Sequence, residues 1–189
     1  MRIHITGASG SGTSTLGAAL AADLGGLHFD ADDYYWLATD PPFTTKRDPN
    51  ERLSLLLPDL SSSSPVVLAG SIVGWGQELE DSFDLIVFLY LDAEIRVERL
   101  RTRETKRFSR VDAAFLEWAA QYDWAPAEGR SLARHRDWLN ARASRVIEIH
   151  GDLTVEERLA CILREAPNQA FNTDAPQSAL LAVPRAVPS

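Results

Sequence analysis

The stretch that most limits what this chain can become is GASGSGT (7–13), set between the apolar run RIHIT (2–6) and the helix formers of STLGAALAADLGG (14–26). A strand that passes into a helix through a run of small residues is the opening of a βαβ unit. Gly7 and Gly12 have the separation of the phosphate-binding pattern Gly-x-x-x-x-Gly-Lys-[Ser/Thr], and Ser14 fills the hydroxyl position. The lysine position holds Thr13. Glycines let successive N–H groups turn inward, and the helix that follows adds partial positive charge at its first turn. On this reading Gly7, Ser9, Gly10, Ser11, Gly12, Thr13, Ser14 and Thr15 cradle phosphates, with Ser14 offering its hydroxyl to a magnesium ion. A competing reading is the dinucleotide turn Gly-x-Gly-x-x-Gly, with Asp30 as the ribose-binding acid. Its register fails, because Thr15 falls where the third glycine belongs, and no Tyr-x-x-x-Lys pair is present.

The rest of the chain continues the alternation. LHFD, SPVVLAG, FDLIVFLYLD and SRVIEIHG are short runs with apolar residues on consecutive positions, the pattern of strands covered on both faces. Between them EIRVERLRTRE and AAFLEWAAQY have helical spacing. TVEERLACILREA opens with a capping box, Thr154 answered by Glu157. The Gly25–Gly26 pair suits the end of the first helix. One α/β domain over 1–166 is expected, a parallel sheet with helices on both faces. The Ala-, Pro- and Ser-rich tail 167–189 is expected to fray, apart from a docked turn around ALLAV.

Composition narrows the function. With 189 residues and 45% hydrophobic side chains the chain can bury a good core. No apolar run reaches membrane-helix length, and no leader is expected before a first strand that begins at residue 2. The lone Cys161 suits a reducing cytoplasm and reads as part of an apolar helix stripe. A net charge of −8 argues against broad nucleic-acid binding. The four histidines have no metal-ligand spacing. A nucleotide and a small-molecule acceptor are the expected partners, for a monomer or homodimer.

Two segments carry the remaining chemistry. Asp30, Asp32 and Asp33 leave the second strand beside the glycine loop, where open α/β sheets bind ligands. One carboxylate there can take a proton from a hydroxyl and another can orient a metal, with Asp32 joining Ser14 as metal ligand. The plainer alternative is that Asp32 or Asp33 caps the next helix. Arg47 and Arg52, after a Pro-Pro-Phe turn, can clamp an anionic acceptor group, with Asp33 and Ser71 completing that side. Farther on, Arg99, Arg103 and Arg107 recur every four residues and so share one helix face, a candidate source of the cation that Thr13 fails to supply.

Taken together, GASGSGTST, DADDYYW, PPFTTKR, GSIVGWG, FLYLDAEIRVERLRTRE and FLEWAAQYD resemble the adenylate-kinase-related P-loop kinases, small proteins similar to nucleoside-monophosphate and shikimate kinases. The resemblance covers roughly residues 1–165. It implies a three-layer α/β P-loop fold with a five-stranded parallel sheet, ATP and Mg2+ as cofactors, an acceptor region over about 31–60, and an arginine-bearing lid over about 103–130. It places Asp30 and Asp32 as the acidic pair and Arg99, Arg103 and Arg107 as lid arginines. Thr13 departs from the family pattern, and so does the close of VVLAG, where Gly70 and Ser71 stand in place of a carboxylate. The expected function is phosphoryl transfer from Mg-ATP to a nucleoside monophosphate or hydroxyl acceptor; the alternative is a nucleotide-binding regulatory module with little turnover.

Overall fold

A computed structural model describes residues 1–108, 111–124 and 130–165. The expected tail over 167–189, its ALLAV turn, and residues 109–110 and 125–129 of the expected lid lie outside the described residues. Five parallel strands, β1 (Arg2–Gly7), β2 (Leu27–Asp30), β3 (Val66–Ala69), β4 (Leu85–Tyr90) and β5 (Arg145–His150), pair in the order β2-β3-β1-β4-β5. The helices are α1 (Thr13–Asp23), α2 (Ala31–Tyr35), α3 (Pro49–Leu60), α4 (Gln77–Glu80), α5 (Ala93–Phe108), α6 (Ala113–Ala120), α7 (Leu132–Asn140) and α8 (Val155–Glu165). All five sequence-read strands are present.

The unbroken apolar runs are explained by two cores, one on each face of the sheet. In β4, Leu85, Val87 and Leu89 join a core with Leu16 and Leu20 of α1 and Ile162 of α8. Ile86 and Phe88, pointing the other way, join Leu56 and Leu60 of α3, Leu79 of α4 and Trp138 and Leu139 of α7. Side chains alternate along a strand, so a run buried on both faces must be apolar at every position. Leu16 and Leu20 are fully buried, each stabilising the fold by about 2 kcal/mol. Cys161 packs at the edge of the first core, as the stripe implied.

Local signals place the helix ends. Gly25 takes a left-handed φ of 59°, and the N–H groups of Gly25 and Gly26 bond Ala22 and Ala21 carbonyls at 3.2 and 2.8 Å, closing α1 in a Schellman turn. Asp48 caps α3 through Asn50 N–H (2.8 Å), with Pro49 at the first helical position. The capping box of α8 forms in both directions, Thr154 N–H to Glu157 Oε2 at 2.8 Å and Glu157 N–H to Thr154 Oγ1 at 3.2 Å.

A smaller core of Leu100, Leu116 and Ala119 joins α5 to α6. Beneath it Arg96, fully buried, donates to Leu91 O (2.7 Å), Ala119 O (3.1 Å) and Asp123 Oδ2 (2.8 Å). Its guanidinium lies over the Tyr122 ring at 5.1 Å. Trp124, just past this buried cluster, is 76% exposed.

Candidate active site

The loop after β1 is shaped to leave its amides open. Gly12 precedes α1 with φ 94°, a left-handed conformation that brings the first helical N–H groups round to the loop. Gly10 has φ 85°, and a Cβ there would lie 2.6 Å from the Arg96 carbonyl, so α5 packs directly on the loop. Ser11 N–H closes a turn onto Ala8 O at 3.1 Å. The N–H groups of Ser9, Gly10 and Gly12 have no hydrogen-bond acceptor among the described residues. Amides left free just before a helix N-terminus suit an anion.

Asp30 stands at the end of β2 and does two things. Its Oδ1 accepts Asp32 N–H at 3.0 Å, which makes Asp30 the cap of α2, a role the sequence suggested for Asp32 or Asp33. Its Oδ2 accepts the Ser14 hydroxyl. Two hard oxygens therefore converge beside the loop, a donor set that suits Mg2+ sharing its coordination with phosphates and water. Asp30, rather than the expected Asp32, is the carboxylate in contact with Ser14. Asp32 is nearby with its side chain still reached by solvent. Loss of hydration in the cleft raises its carboxyl above the ordinary range, the charges of Asp30 and Asp33 push the same way, and Arg130 and Arg103 oppose them. Asp33 is raised chiefly by lost hydration and by Asp30.

The arginine face of α5 divides. Arg99 pairs with Asp152, and its Nη1 lies 3.9 Å from where a Gly12 Cβ would stand. Arg103 bonds Glu104 (3.0 Å), although its charge reaches Asp32. Arg107 lies over the rings of Phe43 and Phe108, 5.2 Å from each, and not at the loop. Two arginines missed from sequence touch the loop instead. Arg130 Nη1 donates to Ser9 Oγ at 3.4 Å, and Arg158 Nη1 donates to Ser11 O at 2.7 Å. Neither belongs to the arginine-dense segment. The signal available was weak: an arginine just before the Ser131 cap of α7, and another one turn into a capped helix.

On the acceptor side the two candidate clamps part company. Arg47 spends its donors locally, on Tyr34 O (3.0 Å) and Glu51 (2.8 Å), and braces the turn rather than facing a ligand. Arg52 is buried, stacked 3.9 Å over Trp75 and 5.3 Å over Tyr35, with no ion pair among the described residues and with its Nε unpartnered. Burial lowers its pKa from the usual arginine value, yet a guanidinium remains charged. An unpaired buried cation of this kind is costly to keep without a counter-charge, which an anion could supply.

Ser71 is the half-buried end of a chain of polar groups whose other members, His135 and Tyr122, are buried. Tyr122 Oη lies 2.6 Å from His135 Nδ1, and Ser71 Oγ lies 3.4 Å from His135 Nε2. Burial, helped by Arg130, lowers the His135 pKa to about 3, so its ring is neutral at pH 7. Burial pushes the Tyr122 phenol up, so it keeps its proton and can donate to Nδ1. In that tautomer Nε2–H faces Ser71 Oγ, and the Ser71 hydroxyl hydrogen is free to point elsewhere. The loop that continues from Ser71 is fixed by Glu80, whose Oε1 accepts the N–H groups of Gly74, Trp75 and Gly76 at 2.8, 2.9 and 3.3 Å. Its Oε2 accepts Trp138 Nε1 at 2.7 Å and lies 3.4 Å from Arg142 Nη1.

Residues 3–117 match the AAA domain family AAA_18, and the chain belongs to that family. It is 45% identical over 171 residues to the uncharacterized protein YqaC of Bacillus subtilis (strain 168), covering 85% of this chain and 94% of that one. It is 30% identical over 137 residues to cytidylate kinase 2 of Borrelia garinii subsp. bavariensis, covering 59% of this chain and 67% of that one. A gluconokinase structure from Sinorhizobium meliloti 1021 superposes with a TM-score of 0.58 at 21% identity, covering 91% of this chain and 97% of that chain. At that identity the likeness is one of fold, and the fold is that of the P-loop kinases.

Proposed function

We propose that this protein transfers the γ-phosphoryl group of ATP to a small acceptor that carries a hydroxyl and an anionic group. The observation that carries the reading is the convergence on one loop mouth of Ser14 with Asp30 and of Ser9 with Arg130. The free loop amides hold the β-phosphate, and Ser14 and Asp30 hold Mg2+. When bound, Mg2+ neutralises charge on the β- and γ-phosphate oxygens. Asp32, its carboxyl raised, takes the proton as the acceptor oxygen attacks the γ-phosphorus and the bond to the ADP oxygen breaks. Arg130 meets the charge on the moving group. Arg52 holds the acceptor's anion, and Ser71 donates to an acceptor oxygen. The names of two similar proteins, a cytidylate kinase and a gluconokinase, denote anionic acceptors, which suits Arg52.

A second reading, nucleotide binding with little turnover, is favoured by Thr13, since a lost cation in such a loop costs several kcal/mol of transition-state stabilisation when nothing replaces it. The two separate by ADP production from Mg-ATP across sugar acids, hydroxylated carboxylic acids, nucleosides and nucleoside monophosphates. Acceptor-dependent turnover that falls about 100-fold in Asp32→Asn, with the acceptor KM raised about tenfold or more in Arg52→Met, is the expected outcome. ATP binding with no acceptor-stimulated ADP anywhere in the panel selects the second reading.

A further inference from the structure

We propose that Arg158 of α8 is the fixed cation of the phosphate loop, supplying from the far end of the chain the charge that Thr13 lacks. The inference rests on reading the loop as a polyphosphate cradle and says how that cradle is neutralised. Arg158 is 4% exposed, donates through Nη1 to Ser11 O at 2.7 Å and through Nη2 to Gly151 O at 3.4 Å, and leaves Nε without a partner. Its Nη1 stands 3.0 Å from where a Gly12 Cβ would be, one residue from Thr13. Arg99 Nη1 reaches the same point at 3.9 Å. The carboxylate at this corner, Asp152, is engaged by Arg99, and Arg158 has no ion pair among the described residues.

Two guanidiniums thus stand near Gly12, and the carboxylate at this corner is bonded to only one of them. Lost hydration first, and Arg99 after it, lower the pKa of Arg158 while Asp152 opposes them, so two cations draw on a single carboxylate already paired with Arg99. A buried guanidinium without a carboxylate is costly to keep, and a polyphosphate in the adjacent loop is the ligand that relieves it. The position is not accidental to the helix. The two-way capping box between Thr154 and Glu157 fixes the first turn of α8, and Arg158 is the next residue. Because the guanidinium binds a loop carbonyl, it adds charge without consuming any of the amides that a phosphate needs.

The test is coupling between positions 13 and 158, read by calorimetric titration with inorganic tripolyphosphate and with ATP, and by thermal melting of each variant. Arg158→Met is expected to weaken both ligands about 10- to 100-fold. Thr13→Lys in that background should restore most of the loss, whereas Thr13→Lys alone should gain less than about threefold, the charge being already present. Arg158→Met binding like the unaltered protein overturns the proposal, and so does a Thr13→Lys gain of equal size in both backgrounds. Should Arg158→Met fail to fold, Thr13→Lys alone decides: a gain of about tenfold or more means the loop was short of a cation. Coupled binding with no acceptor-dependent turnover would sink the kinase reading and leave this one standing. Turnover without coupling would do the reverse.

Discussion

The loops that follow β1 and β3 leave neighbouring strands at the same end of the sheet, and both are rich in glycine, yet they are held from opposite sides. The loop after β3 is fixed through its amides: Glu80 takes the N–H groups of Gly74, Trp75 and Gly76. The loop after β1 is fixed through a carbonyl, Ser11 O, by Arg158. A carboxylate of the protein already occupies the first of these nests, so no ligand anion can use it. The other keeps Ser9, Gly10 and Gly12 N–H unspent. Glycine content therefore does not mark an anion site; what matters is which backbone group the protein itself has claimed.

Removing the claimant from the β3 loop should have the largest effect. Glu80→Ala strips three amides and the Trp138 indole of their acceptor and deprives part-buried Arg142 of one of its two carboxylates, and should cost about 3–5 kcal/mol in urea denaturation. Glu80→Gln, which keeps an acceptor oxygen, should lose clearly less.

The face beneath that loop is dry, and pH reads its dryness. Burial holds His4 and His135 at a pKa of about 3, against 6.5 when unfolded. As pH falls below 6.5 the unfolded chain takes up protons that the folded one refuses, so stability is full above 6.5 and drains away down to about 3. At pH 5 the loss should be about 2 kcal/mol for each histidine, and His135→Gln should remove about half of the slope between pH 7.5 and 5.

Gly10→Ala attacks the open loop. The added Cβ would meet the Arg96 carbonyl at 2.6 Å in a left-handed backbone, at a cost of about 1–3 kcal/mol, and tripolyphosphate binding should disappear with it. The gentlest change is Thr154→Ala. It should cost about 1 kcal/mol of stability and, by loosening the turn that aims Arg158, weaken tripolyphosphate a few-fold in titration.

Much of the fold was open to reading from the chain, because two-sided burial and helix caps are local properties. RIHIT, LIVFLY and the Thr154–Glu157 box each announce themselves within a few residues. Ser14, Asp30 and Gly12 were equally legible, being fixed by spacing along one βαβ unit. The charges around the site were not. Periodicity says that Arg99, Arg103 and Arg107 share a face, but not what that face meets, and Glu104 and Phe43 claim two of them. Arg158 and Ser11 are brought together only because α8 packs beside α1, a long-range fact that no local pattern records. Glu80, His135 and Trp138 were opaque for the same reason, each a polar group whose partner lies on another element.

Arg96 has a consequence for anyone who would exchange parts of this protein. Its guanidinium fastens Leu91 at the exit of β4 to Ala119 and Asp123 at the far side of α6, so the stretch from 97 to 122 is bounded by one buried seam. A chimera carrying a relative's version of that stretch must carry a matched pair at 96 and 123 as well, or it will strand a charge in the interior. Grafts that respect the seam keep the glycine loop beneath in register, because the Arg96 carbonyl lies directly against Gly10.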